Sequence, residues 1–344
     1  MQPWRFKWDG SSIIDIYIDP GIDNSLYNIE YDMQEIASLV SLGAVIENMR
    51  IRASYLGFGI KLDYLLSPKD KSFFARITLI EDRDAGREET SFLNQYIPKR
   101  CVNRKAYYAK EIDKEIQDKV KKEAKKYEDI KLYWLEDKKK IKKLAGLVSM
   151  ADKIMFETEG LLLPLMKSIR WTRKEEETTM DGMPLKSLEL GWFDAKGLRL
   201  FSCWRLVKFL NYFGLSRIAS RRSVRLMESS AAICLLTAIF KENDVKDFIR
   251  GGELLERIWL LLSSFDIAVQ PMAGLAFLIN RVKLLNGQGF SRVHIKEINA
   301  MKEILYPIFN LKDEEMPLIL LRLGYSSAPS SRATRHRVED LLIQ

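Results

Sequence analysis

The chain has 344 residues, of which 47% are hydrophobic and 30% charged, so it can bury a large core and is not a disordered or fibrous protein. Its three cysteines form no CxxC pair and it has two histidines, which excludes a disulfide framework, a zinc ribbon and a histidine-rich metal site. The net charge of +8 arises within residues 99–143, where 17 residues are basic and 9 are acidic. Such a surplus indicates nucleic acid, a membrane surface or a phosphate-bearing ligand as the candidate partner.

The first predicted elements are a hairpin, a helix and a strand. Aromatic residues alternate with polar ones in residues 4–8, residues 9–10 are Asp-Gly, and isoleucines alternate in residues 14–18, so we predict a β-hairpin. Apolar residues then recur at helical spacing over residues 32–56. Two glycines follow this helix, and an extended segment is predicted at residues 60–66.

An internal repeat relates this helix and strand to a later part of the chain. A shift of 209 residues aligns three pairs of identical residues: Gly43 with Gly252, Glu47 with Glu256, and Ser54 with Ser263. Six apolar positions match as well, although apolar positions match by chance on any two core helices. A strand candidate follows each copy, at residues 74–80 and 317–323. We interpret the chain as two related α+β halves that pack against one another.

The basic segment lies between these copies. Ile112, Ile116, Val120 and Ala124 form one apolar stripe, and opposite charges alternate on the other faces, so a solvated helix with weak ion pairs is the simplest interpretation. No helix-turn-helix, RNP-like pattern or zinc spacing accompanies these charges, and we expect no nucleic-acid partner. Residues 171–213 have no sustained period and predict an irregular excursion or lid.

No stretch of the chain is apolar for long enough to span a membrane. The longest unbroken apolar run, at residues 231–236, is far shorter than the ~20 residues that a span needs. The basic start and apolar region of an export signal do not follow Met1. We therefore expect a cytoplasmic protein without a membrane partner.

Four stretches occur in an order that is typical of one enzyme superfamily. They are Gln-Pro-Trp-Arg-Phe at residues 2–6; Arg-Cys-Val-Asn-Arg at 100–104; a third set at 229–232, 251–253 and 268–272; and Leu-Arg-Leu-Gly-Tyr at 321–325 with the basic residues of 332–337. The first is similar to the end of a PSxxNxQPWxF motif, and the second to a phosphate-binding RR[ST]xR element. Together they resemble the nitroreductase superfamily, and most closely the Acg family of FMN-binding oxidoreductases, whose members contain two fused nitroreductase-like halves.

The resemblance implies a fold and a domain organisation. The fold class would be α+β, with two fused nitroreductase-like halves in which central antiparallel or mixed sheets are flanked by helices. The halves, residues 1–94 and 95–344, would form a pseudo-dimer within a monomeric chain, and the second would carry a lid near residues 171–213. In the superfamily a Pro-Ser-x-x-Asn segment and a helix precede Gln-Pro-Trp. The present sequence has neither ahead of Gln2, so we expect either a start further upstream or an incomplete flavin site.

The resemblance also implies an FMN site in the second half. Its residues would be Arg100, Asn103, Arg104, Gln270, Pro271, Met272, Arg332 and Arg335. Arginine suits the phosphate, because a dianion needs charge-assisted and preferably bidentate donors. Backbone groups of residues 270–272 would face the flavin ring. Without the resemblance, Arg100 and Arg104 are equally compatible with membership of a charge run, and the arginines of residues 332–337 would be interpreted as a basic C-terminal tail.

The function that follows from the resemblance is FMN-dependent NAD(P)H oxidation. The nicotinamide would pass a hydride to flavin N5, and the flavin would reduce a nitro-aromatic compound, a quinone or a similar small-molecule acceptor. We assign no catalytic side chain and no metal. The alternative is a flavin-sequestering or degenerate relative with little or no turnover.

Overall fold

The computed structural model describes residues 2, 4–18, 33–64, 73–82, 89–239 and 246–343. Within them lie two four-stranded antiparallel sheets. Sheet A contains β1 (Trp4–Trp8), β2 (Ile13–Ile18), β3 (Phe58–Tyr64) and β4 (Phe73–Glu81). Sheet B contains β5 (Ile130–Leu135), β8 (Ala232–Ile239), β9 (Ala268–Met272) and β10 (Glu315–Gly324). The predicted α+β class with two sheet-containing halves is confirmed.

Helices surround and separate the two sheets. The helices of the described residues are α1 (Met33–Tyr55), α2 (Glu89–Phe92), α3 (Lys114–Ala124), α4 (Lys138–Glu157), α5 (Glu159–Lys167), α6 (Arg173–Thr179), α7 (Trp192–Leu198), α8 (Trp204–Asn211), α9 (Leu215–Glu228), α10 (Lys246–Ser264), α11 (Gly274–Leu285), α12 (Arg292–Phe309) and α13 (Val338–Leu341). Short 3-10 turns lie at Leu93–Tyr96, Leu185–Leu188 and Arg199–Ser202. In the same part of the chain, no helix combines the length and the apolar character that a membrane span requires.

The predicted hairpin opens sheet A. The side chain of Asp9 accepts hydrogen bonds from the backbone N–H groups of Ser11 and Ile13, at 2.8 and 3.1 Å, and Gly10 has a φ of 84°. Glycine adopts this left-handed conformation without the steric cost that a Cβ atom imposes. The strand order is β1-β2-β4-β3, and the helix and both later strands of this half are confirmed. Residues 32, 65 and 66, which the predicted elements included, lie outside the described residues.

The two sheets have the same connectivity. Sheet B has the order β5-β8-β10-β9, and α10 follows its second strand as α1 follows the second strand of sheet A. Sheet A joins its first two strands by the four residues 9–12, whereas sheet B has residues 136–231 at the same place. The helix and strand that the 209-residue shift aligned therefore occupy the same places in both sheets.

The two long helices α1 and α10 cross between the sheets at a pair of glycines. A Cβ atom on Gly252 would lie 2.0 Å from the carbonyl oxygen of Val40, and one on Gly43 would lie 1.9 Å from the carbonyl oxygen of Ile249. Only glycine permits such a close approach of two backbones. Apolar residues of both helices and both sheets form one continuous core around this crossing.

A second core covers the other face of sheet B. There α4, α11 and α12 pack on the sheet through fully buried residues such as Leu144, Leu235 and Met301. The predicted apolar stripe of the basic segment is buried, since Ile116 and Val120 of α3 belong to the central core. The C-terminal end of the basic segment, residues 138–143, contains five lysines and forms the first turns of α4.

The predicted excursion consists of short ordered elements. Residues 171–213 contain α6, α7, α8 and two 3-10 turns, and a two-residue parallel bridge joins β6 (Ile169–Arg170) to β7 (Met183–Pro184). A small separate cluster, which includes Leu162, Ile169 and Val207, holds them together. Elements this short leave no sustained period in the sequence, which explains the expectation of an irregular segment.

Candidate functional site

Three of the four sequence stretches meet at one point beside sheet B. The backbone N–H of Asn103 donates to the carbonyl oxygen of Val269 in β9 at 3.0 Å, and Val102 forms an isolated bridge with Val269. The Asn103 side chain is buried and donates to the carbonyl oxygen of Ser327 at 2.9 Å. The second stretch is therefore fixed against the strand that carries the third.

Arg322 of β10 forms hydrogen bonds that connect these stretches. Its Nε donates to Gln270 Oε1 at 2.6 Å, and its Nη atoms donate to the carbonyl oxygens of Lys105 and Leu226. Its guanidinium carbon lies 3.9 Å from the centre of the Tyr107 ring. Arg322 is fully buried, and burial lowers its pKa. Its hydrogen bonds go to neutral oxygens, so its charge is not offset by a bonded carboxylate.

Tyr107 and Ser229 complete this cluster, which we call the Arg322 cluster: Asn103, Tyr107, Ser229, Gln270 and Arg322. The Tyr107 hydroxyl donates to the carbonyl oxygen of Asn103 at 3.0 Å, and burial raises its pKa to about 12. Ser229 Oγ accepts from the backbone N–H of Tyr107 at 3.1 Å. The cluster is a rigid platform rather than a reactive centre, because its polar groups are already paired.

A basic cavity of about 360 Å³ adjoins the cluster. Its lining comprises Arg104, Lys105, Ala106, Glu189, Arg222, Arg225 and Leu226. Burial lowers the pKa of the Arg104 and Arg222 guanidinium groups, and neighbouring arginines add to the effect. Four cationic side chains thus share a cavity with one carboxylate, and this is the electrostatic environment that an anion stabilises.

The excursion between β5 and β8 closes one side of this cavity. Arg104 Nη1 donates to the carbonyl oxygen of Ser187 at 3.2 Å, and Arg222 Nη2 donates to those of Leu188 and Glu189 at 2.9 and 2.8 Å. The Glu189 carboxylate accepts from the backbone N–H and the hydroxyl of Ser330, at 2.6 and 2.8 Å. Hydrogen bonds from the C-terminal tail thereby partly satisfy the Glu189 carboxylate.

The other predicted phosphate ligands lie at a second place. Arg100 Nε is 2.8 Å from Glu256 Oε1, and its guanidinium carbon stacks 4.4 Å from the centre of the Trp259 ring. Arg335 lies close enough to Arg100 and Glu256 to interact electrostatically with both. Arg332 donates to the carbonyl oxygens of Pro98 and Lys99. The charge of Arg100 is therefore neutralised by a buried carboxylate.

Of the eight predicted residues, five lie at or next to the Arg322 cluster and three lie elsewhere. Asn103, Arg104 and Gln270 lie at the Arg322 cluster or its cavity. Pro271 and Met272 follow Gln270 in β9, opposite Leu321 and Leu320 of β10. Arg100 and Arg335 interact with Glu256, and Arg332 donates to the backbone of residues 98–99, next to Arg100.

Sequence reasoning missed Arg222 and Arg225 of the cavity and the role of Arg322. Arg322 is a charge inside the otherwise apolar strand segment 318–323, which is itself a signal, because an unpaired charge is seldom buried. Arg222 and Arg225 are three residues apart on α9 and so share one helical face. Their position after a long excursion concealed their proximity to Arg104.

Comparison with known proteins gives distant similarities. No protein-family model matches the chain. The uncharacterized protein MT1398 of Mycobacterium tuberculosis (strain CDC 1551 / Oshkosh) is 26% identical over 152 residues, which is 42% of this chain and 20% of that protein. The chain therefore spans about a fifth of the length of this curated relative.

Three solved structures with partial similarity are nitroreductases. The FMN and NADPH-dependent nitroreductase NfnB from sphigopyxis sp. strain HMH has a TM-score of 0.43 at 14% identity, over 73% of this chain and 98% of that chain. NfnB from Mycobacterium smegmatis, in complex with NADPH, has a TM-score of 0.43 at 13% identity, over 73% and 97%. A nitroreductase with bound FMN from Bacteroides fragilis NCTC 9343 has a TM-score of 0.37 at 10% identity, over 71% and 93%.

Proposed function

We propose that the chain is an FMN-dependent NAD(P)H oxidoreductase of the nitroreductase type. The observation that carries the proposal is the convergence of the second, third and fourth stretches at the Arg322 cluster. The second stretch lies more than a hundred residues before the third, and the third ends about fifty residues before the fourth begins. The hydrogen bonds of Asn103 to Val269 and of Arg322 to Gln270 nevertheless bring them within one site.

The basic cavity is the place where we propose that the FMN phosphate binds. Arg104 belongs to the sequence element that resembles the phosphate-binding motif, and Lys105, Arg222 and Arg225 add three further cationic donors. Arg100 is a weaker candidate because Glu256 already occupies its guanidinium at 2.8 Å. The donor set fits a dianion, since arginine offers charge-assisted and bidentate hydrogen bonds.

The proposed division of labour gives the protein a binding and positioning role. When bound, the flavin supplies hydride chemistry between NAD(P)H and a small-molecule acceptor such as a quinone or a nitro-aromatic compound. The Arg322 cluster holds β9 and residues 103–107 in fixed register. Residues 270–272 then present backbone next to the proposed ring position, and the segment 185–189 limits access of water to the cavity.

We also propose that residues 1–94 and 95–344 are fused halves that form a pseudo-dimer within a monomer. The support comes from reciprocal contacts at the helix crossing. Asn48 Nδ2 donates to Glu256 Oε1 at 3.0 Å, and Arg257 Nη1 donates to Glu47 Oε1 at 2.7 Å. The 209-residue shift exchanges these two pairs, which is the contact pattern of a two-fold interface.

Flavin titration with Arg104→Ala tests the phosphate placement. We expect the affinity for FMN to fall about tenfold or more, because a hydrogen bond to a charged group is worth ~1.5–3 kcal/mol. The affinity for riboflavin, which has no phosphate, should change little. Lys139→Ala, an exposed position on α4, is the matched control and should leave both affinities unchanged. Equal loss of FMN and riboflavin binding in Arg104→Ala would refute the phosphate assignment.

Turnover assays test the enzymatic part of the proposal. Purified protein should carry or bind FMN and oxidise NAD(P)H when menadione or a nitro-aromatic compound is supplied. Tight FMN binding with slow bleaching by NAD(P)H would indicate the flavin-sequestering alternative. Absence of FMN binding in a fluorescence titration would exclude both.

A further inference from the structure

A helical hairpin in the connection between β5 and β8 exposes a group of apolar side chains. The hairpin consists of α8, the turn at residues 212–214, and α9. Phe209, Tyr212 and Phe213 are at least 58% exposed, and the centres of the Phe209 and Phe213 rings are 5.3 Å apart. Ile218, in the first turn of α9, is 62% exposed. We call these four side chains the apolar tip. Exposed apolar patches with polar residues around them are typical of interaction sites.

The opposite face of the hairpin is packed against the protein. Val207 of α8 is fully buried in the small cluster that holds the excursion together. Asn211 Nδ2 donates to the carbonyl oxygen of Phe156 at 3.0 Å. Ser216 Oγ of α9 donates to Glu157 Oε1 at 2.7 Å. Both helices of the hairpin are thus attached to the end of α4, and the apolar tip is exposed because of how the hairpin is anchored.

The hairpin lies in a segment of uniform positive charge. Residues 195–227 contain eight basic residues and no acidic one, and acidic residues elsewhere in the chain offset this excess. On α3, by contrast, lysines pair with neighbouring carboxylates, as Lys119 Nζ does with Glu115 Oε1 at 2.8 Å. Among the described residues, no ion pair involves the four exposed cations nearest the turn, which we call the hairpin cations: Arg205, Lys208, Arg217 and Arg221. Their charges are therefore available to an anionic partner.

The hairpin cations border the apolar tip on both helices. One outward face of α8 combines four exposed residues at spacings of three and four: Arg205, Lys208, Phe209 and Tyr212. On α9, Arg217 and Arg221 lie one helical turn apart, and Ile218 lies next to Arg217. A helix face that combines aromatic side chains with Lys and Arg has the composition of a helix that lies in a membrane interface.

The combination of charge and apolar surface distinguishes the classes of partner. A second copy of the chain would bring cations against cations, which repel one another. A nucleic acid would neutralise the cations but would offer no apolar region to Ile218. The surface of a bilayer with anionic lipids satisfies both requirements, because its headgroups attract cations and its acyl boundary accepts apolar side chains.

We propose that the hairpin is a peripheral binding site for a bilayer surface that contains anionic lipids. The Phe209 and Phe213 rings would lie at the boundary between headgroups and acyl chains, and the hairpin cations would lie among the headgroups. The expectation of no membrane partner rested on the lack of a spanning stretch and of an export signal, neither of which a peripheral contact requires. The proposal replaces that expectation for this surface and is independent of flavin binding.

Vesicle flotation with the full chain tests the proposal. One set of vesicles contains phosphatidylcholine and phosphatidylserine, and the other contains phosphatidylcholine alone. We expect saturable binding to the anionic vesicles that declines as salt is added, and binding about tenfold or more weaker to the neutral ones. Absence of binding to the anionic vesicles would overturn the proposal. Binding of polyuridylate without binding of vesicles would assign the hairpin to nucleic acid and would overturn it as well.

Two charge-reversed variants locate the contact. Arg205→Glu with Lys208→Glu should weaken binding to anionic vesicles about tenfold or more, because it removes two attractions and adds two repulsions. Lys121→Glu with Lys122→Glu is the matched control, since it makes the same change in net charge at exposed positions of α3. Helix α3 packs on the opposite face of sheet B from α4 and α9. Equal loss of binding in the two variants would contradict the assignment to the hairpin.

A third variant separates insertion of the rings from attraction by charge alone. Phe209→Ser with Phe213→Ser should weaken binding to anionic vesicles about tenfold, because two exposed rings no longer gain apolar burial, while the dependence on salt remains. Tyr108→Ser, at an aromatic position that is 57% exposed outside the hairpin, is the control and should bind as the wild type does. All of these positions are exposed, so we expect unchanged thermal midpoints. Wild-type affinity of the phenylalanine variant would overturn the proposed insertion.

Discussion

Several carboxyl groups lie buried where the two long helices cross, and their protonation links stability to pH. Glu253 is 6% exposed, and burial raises its pKa to about 7. One of its oxygens has no hydrogen-bond partner, and the other lies 3.7 Å from Arg50 Nη2. A neutral carboxyl group is the form that this environment stabilises.

Glu253→Gln should therefore change the pH dependence of unfolding. The unfolded chain loses this proton near pH 4.5 and the folded protein only near pH 7, so wild-type stability falls across that interval as pH rises. The glutamine variant lacks this decline. Between pH 4.5 and pH 7, its free energy of unfolding should therefore rise relative to that of the wild type by on the order of 2 kcal/mol. Urea unfolding at both pH values measures the difference. Glu111→Gln, an exposed position, is the control, and parallel profiles for Glu253→Gln and wild type would contradict the assignment.

The contacts of individual side chains were the part of the structure that the sequence predicted least completely. Arg104 and Asn103 could be selected because a short motif carries them, and the structure places them beside β9. The ion pair of Arg100 with Glu256 could not be foreseen, because it joins residues 156 positions apart through the helix crossing. Spacing within the chain carries no information about such a contact.

At the scale of elements, the crossing of α1 and α10 depends on two glycines. Gly252→Ala should destabilise the protein by about 3 kcal/mol, because the new methyl group would overlap the carbonyl oxygen of Val40 and force the helices apart. Gly146→Ala in α4 is the matched control, since among the described residues no atom outside the local helix backbone lies within 4 Å of the added carbon. That substitution should stabilise the protein by ~1 kcal/mol. The midpoint of urea unfolding measures both changes, and similar midpoints for the two variants would refute the packing argument.

Elements with a strong period were predicted well, and short ones were not. The helix of residues 33–55 and the hairpin of residues 4–18 follow directly from the spacing of apolar residues and from the Asp-Gly turn. The seven-residue helices α6 and α7 span too few turns to establish a pattern. Their position depends on the small cluster around Val207, which forms only in the folded chain.

At the scale of the whole molecule, the C-terminal tail of the second half is attached to the first. Ile343 donates its backbone N–H to the carbonyl oxygen of Phe6 at 2.8 Å, and Leu342 forms a parallel bridge with Phe6. The side chain of Gln2 accepts from the backbone N–H of His336 at 2.8 Å. The tail thereby covers the exposed edge of β1, which would otherwise be open to pairing with another chain.

Removal of the residues after Ser331 should loosen sheet A selectively. We expect the backbone amides of residues 4–8 to exchange with solvent at least tenfold faster, because the edge loses its bridge and its cover. The amides of β10, which lies inside sheet B, should keep their protection. FMN affinity should change little if Arg104 holds the phosphate. Hydrogen exchange followed by mass spectrometry tests the first two points, and uniform loss of protection would contradict this view of the tail.

The difference in length between the two equivalent connections has an entropic consequence. Sheet A closes its first two strands with four residues, and sheet B closes the equivalent pair with 96. Loop-closure entropy rises only with the logarithm of length, so a connection 24 times longer costs ~3 kcal/mol more in the flexible-chain limit. The long connection buries apolar side chains in the cluster around Val207 and in the contacts of α4 and α9 with sheet B, and this burial offsets the entropic cost. A hairpin turn is thus a position at which a chain can gain nearly a hundred residues, including Arg222 and Arg225 of the basic cavity, while the sheet keeps its strand order.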